Sequence, residues 1–60
     1  MKPTAQEARM IEVATRIHHT DESSAPNTEG FTLAEILAAV RKYHPNTLLD
    51  RSITYRSQGA

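Results

Sequence analysis

The chain has 60 residues, with seven Lys and Arg against seven Asp and Glu, no Cys, no Trp and two Gly, which excludes a multi-domain protein or a large catalytic cavity. A core of this size rarely supplies more than about 3 to 5 kcal/mol, so such small domains usually add disulfides, a metal or a partner chain, and without Cys the disulfides are excluded. Net charge is zero overall, but residues 1–30 carry −2 and residues 31–60 carry +2, too small a dipole for one copy to act as a strong nonspecific nucleic-acid binder, which neutralises many phosphates.

The N-terminus, Met1-Lys2-Pro3-Thr4-Ala5-Gln6-Glu7, holds no apolar stretch like a signal peptide, and the longest apolar run is Ile36 to Val40. Export and membrane spanning are not expected, and the absence of Cys is compatible with a cytoplasmic chain. Thr4 and Glu7 form a capping box, with the Thr hydroxyl accepting from the Glu7 N–H while the Glu side chain reaches back. Met10, Val13, Ala14 and Ile17 come next on one stripe, with Arg9, Glu12 and Arg16 opposite. The spacing predicts a first helix from about Ala5 to His18 or His19, with Glu12 and Arg16 paired across one turn. Ile11 lies off the stripe, where it can join a partner contact.

From Thr20 to Gly30 there is no periodicity and nothing large to bury, so this segment is expected to be a mobile loop. Its length points either to a short extended piece around Gly30-Phe31 or to a role outside the core. Thr32 and Glu35 then make a second capping box, with Phe31 and Ile36 as a hydrophobic staple across it. Leu33, Ile36, Leu37, Val40 and Tyr43 share a stripe, Arg41 and Lys42 sit late where the helix dipole favours cations, and Pro45 stops the helix. A second helix is expected over Leu33 to about Tyr43.

His44-Pro45-Asn46-Thr47 reads as a turn in which Asn46 takes a left-handed conformation and Thr47 caps the next helix, with Asp50 in place of the usual Glu. A third helix is expected from Leu48 to about Arg56 or Ser57. Leu48, Leu49, Ser52 and Ile53 are assigned to its inner side, and Asp50, Arg51, Thr54, Ser57 and Gln58 to its outer side. The fold class is therefore all-α, a single three-helix unit over residues 1–60.

Helix, long connection, stapled helix, tight turn and third helix is the order of a helix-turn-helix domain. Phe31-Thr32-Leu33-Ala34-Glu35-Ile36-Leu37, Val40, Tyr43-His44-Pro45 and Ser52-Ile53 together resemble the second and third helices of winged helix-turn-helix domains in bacterial regulators, over about residues 31 to 56. The resemblance implies duplex-DNA binding in transcription regulation, with the third helix in the major groove. Arg51, Thr54, Tyr55 and Gln58 would then meet base edges or nearby phosphates, and Arg56 and Lys42 would contact phosphates. Two features depart from the family. The chain stops at Gly59-Ala60, before any wing hairpin, as a truncated winged helix would, or as a domain whose missing cover comes from a second copy. Asp50, placed outward, would repel phosphates.

The competing reading is a small protein-interaction module that uses the third helix or the acidic first helix and loop. Tyr55 anchors such a partner, or with Leu48 and Ile53 forms a homodimer seam. His18-His19-Thr20-Asp21-Glu22 is the one cluster of metal-ligand types, but neighbouring helical positions diverge by about 100°, and the histidines are accounted for by the helix dipole. No metal or cofactor is expected. Ser23, Ser24, Ser52 and Ser57 have no water-excluding cleft around them and Gly30 and Gly59 make no phosphate loop, so an enzyme is not expected.

Overall fold

A computed structural model describes residues 2–21 and 23–58. Three α-helices run in order, α1 (Ala5–His18), α2 (Leu33–Tyr43) and α3 (Leu48–Gln58), with no strand among the described residues. Residues Glu22, Gly59 and Ala60, which carry part of the metal-cluster and missing-wing arguments, lie outside this range.

Both capping boxes form. The Thr4 hydroxyl accepts from the Glu7 N–H at 3.1 Å while Glu7 Oε1 accepts from the Thr4 N–H at 2.9 Å, and Thr32 and Glu35 repeat the exchange at the same distances. Each box satisfies donors that a helix N-terminus leaves unpaired. His44 ends α2 by donating its N–H to the Val40 carbonyl at 2.7 Å. Asn46 then takes the left-handed conformation, with φ of 60°, and the Arg51 N–H reaches the Thr47 carbonyl at 3.1 Å, so α3 starts directly after the turn.

The core gathers Met10, Val13, Ala14 and Ile17 from α1, Ile36, Ala39 and Val40 from α2, and Ile53 from α3, with Ile11, Phe31, Leu33, Leu37 and Leu49 packed against its edge. Each helix touches the other two. Ala39 belongs to the buried stripe although only the larger side chains of α2 announce it.

Several expectations are corrected. Leu48 is 69% exposed, because on a 100° wheel it lies about 140° from Ile53, whereas Leu49 lies within about 40°. Asp50 is 8% exposed and faces inward, about 60° from Ile53 on the same wheel. Ser57, assigned to the outer side, is half-buried, at about 40° from Ile53. The charges of α1 also pair differently: Glu12 joins Arg9 at 2.8 Å, and Arg16 joins Glu29 of the loop. No extended piece forms at Gly30-Phe31. Glu29 (φ 54°) and Gly30 (φ 88°) are both left-handed, and the Phe31 N–H closes the turn on the Thr28 carbonyl at 3.0 Å.

Candidate nucleic-acid interface

The outward side of α3 is set by Ile53. With that side chain fully buried, Leu48, Arg51, Tyr55 and Gln58 all fall more than about 130° away on the wheel and form one exposed stripe. Tyr55 is 64% exposed. Arg51 and Gln58 are exposed, and their side chains take part in none of the ion pairs or hydrogen bonds found among the described residues.

The other three candidates have work inside the fold. Thr54 is half-buried, with its hydroxyl accepting from Arg41 Nη2 at 2.9 Å and donating to Asp50 Oδ1 at 3.2 Å. Arg56 donates to the Thr20 carbonyl at 2.7 Å, which ties α3 to the end of α1. Lys42 lies on α2, donates to Glu7 Oε2 at 2.9 Å and sits 5.3 Å from the Tyr43 ring centre. The structure therefore gathers Arg51, Tyr55 and Gln58 on one face and sets Thr54, Arg56 and Lys42 apart from it.

Asp50 organises the joint behind that face. Its carboxylate accepts from the Asn46 N–H at 3.0 Å and from Arg41 Nε at 3.0 Å, while its own N–H donates to the Thr47 hydroxyl at 3.2 Å. The Asn46 N–H, followed by the Arg41 guanidinium, holds the Asp50 carboxyl below the usual carboxylate range. The carboxylate thus braces the turn and compensates a cation. It does not project toward a ligand on the stripe.

Two polar clusters had no sequence signal beyond the residue types. Glu7, already the capping acid of α1, also accepts from the Tyr43 hydroxyl at 2.5 Å and from Lys42. The Thr4 N–H, then Tyr43, then Lys42 bring its carboxyl from 4.5 down to about 2, and in return the carboxylate pushes the Lys42 and Tyr43 protons toward higher pH. The second cluster joins Glu29 to Arg9 and Arg16. Both link residues far apart in the chain, so no local spacing rule reaches them.

The His18 and His19 rings lie 5.0 Å apart at an interplanar angle of 54°, and the buried His18 Nδ1 has no hydrogen-bond partner. No group of three or more His, Cys, Asp or Glu among the described residues is arranged to hold a metal ion. A shallow groove of about 270 Å³ between α1 and α2 is lined by Glu7, Met10, Glu35, Ala38, Ala39 and Lys42, but Glu7 and Glu35 are already engaged as capping acids. No helix of the described residues is long and apolar enough to cross a membrane. Compared with protein families, curated proteins and solved structures, the chain matches none.

Proposed function

We propose that this unit is a non-catalytic, cytoplasmic DNA-binding module of helix-turn-helix type, serving transcription regulation, with α3 as the element that enters the major groove. The observation that carries the reading is the stripe of Arg51, Tyr55 and Gln58 on the solvent side of a helix that succeeds α2 through a short turn. Seven residues separate Arg51 from Gln58, a rise of about 10 Å, or roughly three base-pair steps. Arg is suited to a guanine edge, Gln to an adenine edge and Tyr to a phosphate or thymine methyl. Asp50 turned into the fold removes the carboxylate that would have repelled phosphates from this side.

Arg56 and Lys42 are held by internal partners, which leaves Arg51 as the cation of the stripe. One copy then makes few phosphate contacts, and a homodimer, which doubles them over two half-sites, suits the reading. Binding to duplex DNA is expected to weaken steeply as salt rises, and Arg51→Ala is expected to reduce it. Failure to bind any duplex at low salt would remove the proposal.

A second reading, a protein-interaction module, is favoured by the exposure of Leu48 and Tyr55 on the same stripe as Arg51. Aromatic and Arg side chains at the centre of a patch dominate protein interfaces. A complex of this kind survives high salt and is lost on Leu48→Ala or Tyr55→Ala, whereas DNA binding responds first to salt and to Arg51.

A further inference from the structure

Arg9 and Arg16 lie seven residues apart, about 20° from one another on the α1 wheel, so their guanidinium groups converge on one line along the helix. Between them sits the Glu29 carboxylate. Arg9 donates Nε to Oε1 and Nη2 to Oε2, both at 2.8 Å, and Arg16 Nη2 donates to Oε2. A two-pronged Arg contact completed by a second Arg is the donor geometry that phosphate oxygens also accept.

The occupant comes from a turn that has to be held in shape. Glu29 is in the left-handed region, uncommon for a residue with a side chain, and its N–H is satisfied by Asn27 Oδ1 at 3.0 Å. Gly30 continues the left-handed path, where only glycine is free of strain. The Glu29 side chain is 22% exposed, while those of Arg9 and Arg16 are about half exposed, so both cations remain reachable from solvent. Exposed ion pairs are individually weak, and a doubly charged terminal phosphate, or two neighbouring singly charged phosphodiesters, meets two guanidinium groups with more charge than one carboxylate does. Among the described residues, Glu12 also pairs with Arg9, at 2.8 Å from Nη1.

We propose that Arg9 and Arg16 form a site for phosphate groups that Glu29 fills when no ligand is present, so that ligand binding releases the turn over residues 27–31. The site is on α1 and does not rest on the reading of α3. Because Glu29 is tethered, it competes at a high effective concentration, set by loop length, and phosphate binding to the unaltered protein is weak. Glu29→Gln keeps the shape, removes the charge and uncovers the pair.

The test titrates the unaltered chain, Glu29→Gln, and Glu29→Gln combined with Arg9→Gln and Arg16→Gln, using sodium pyrophosphate in one arm and a short duplex oligonucleotide in the other. Glu29→Gln is expected to bind at least one probe about ten-fold more tightly, and the two Arg substitutions are expected to cancel that gain. A gain with pyrophosphate alone assigns a free phosphate ligand, and a gain with duplex alone assigns the nucleic-acid backbone. No gain with either probe, in a variant whose circular dichroism shows the helices intact, overturns the proposal and leaves Glu29 as a loop tether. Should that variant unfold, backbone resonances of the unaltered chain decide: pyrophosphate should shift those of Arg9, Arg16 and Asn27 to Gly30 selectively, and their failure to move also overturns it.

Discussion

Single residues here carry more than one duty, and Glu7 is the clearest example. It caps α1, accepts from Tyr43 and pairs with Lys42, which ties the start of the first helix to the end of the second. Its folded-state value of about 2 lies below the ordinary 4.5, and Glu29, Glu35 and Asp50 are shifted in the same direction. A depressed carboxyl stabilises the fold above its unfolded value, and that stabilisation is lost as pH falls through the folded one. Stability is therefore expected to decline as pH drops from about 5 to about 2. Glu7→Gln should be less stable at neutral pH and should decline less over this window, as read by thermal melts across a pH series. Parallel curves for the two proteins would contradict the role given to Glu7.

At the scale of elements, the joint between α2 and α3 decides what α3 can present. Arg41, Asp50, Thr54 and the Asn46 backbone form one connected set across the turn. Asp50→Ala removes the buried carboxylate that accepts from the Asn46 N–H and from Arg41 Nε, and hydrogen bonds to a charged acceptor are stronger than neutral ones. This substitution is expected to lower Tm, and also to weaken duplex binding although Arg51 is untouched. Arg51→Ala, on the outer face, should leave stability within roughly 0.5 kcal/mol of the unaltered chain while reducing binding. Melts and binding measured on both variants separate positioning from contact. Equal Tm values for the two would mean that Asp50 does not brace the joint.

For the whole molecule, the small core sets the margin. Ile53 is the apolar side chain that α3 buries fully, so it fastens that helix to the other two. Ile53→Ala should cost about 2 to 5 kcal/mol, comparable with the roughly 3 to 5 kcal/mol that a core of this size supplies. The variant is expected to be largely unfolded at room temperature. Ile53→Val, at about 0.5 to 1.5 kcal/mol, should remain folded with a lower urea midpoint. Retention of full helix content by Ile53→Ala would show that α3 is held mainly by its polar ties, Arg41–Asp50 and Arg56–Thr20.

The helices were legible in the chain itself, because capping and amphipathic spacing are local. Thr4 with Glu7, Thr32 with Glu35, the left-handed Asn46 and the stripes ending in Ile17 and Tyr43 each depend on residues a few positions apart, and helix ends derive from them. The inward direction of Asp50 was also available from the wheel, since it lies closer to Ile53 than Leu48 does, but an acidic residue is rarely assigned to the interior. What only the packed molecule decided was which cations have partners. Lys42 meets Glu7, Arg56 meets Thr20, and Arg9 and Arg16 meet Glu29 across separations of 13 to 36 residues. Long charged side chains take whatever the fold brings within reach, and that proximity is fixed by how three helices share one core and not by spacing along the chain.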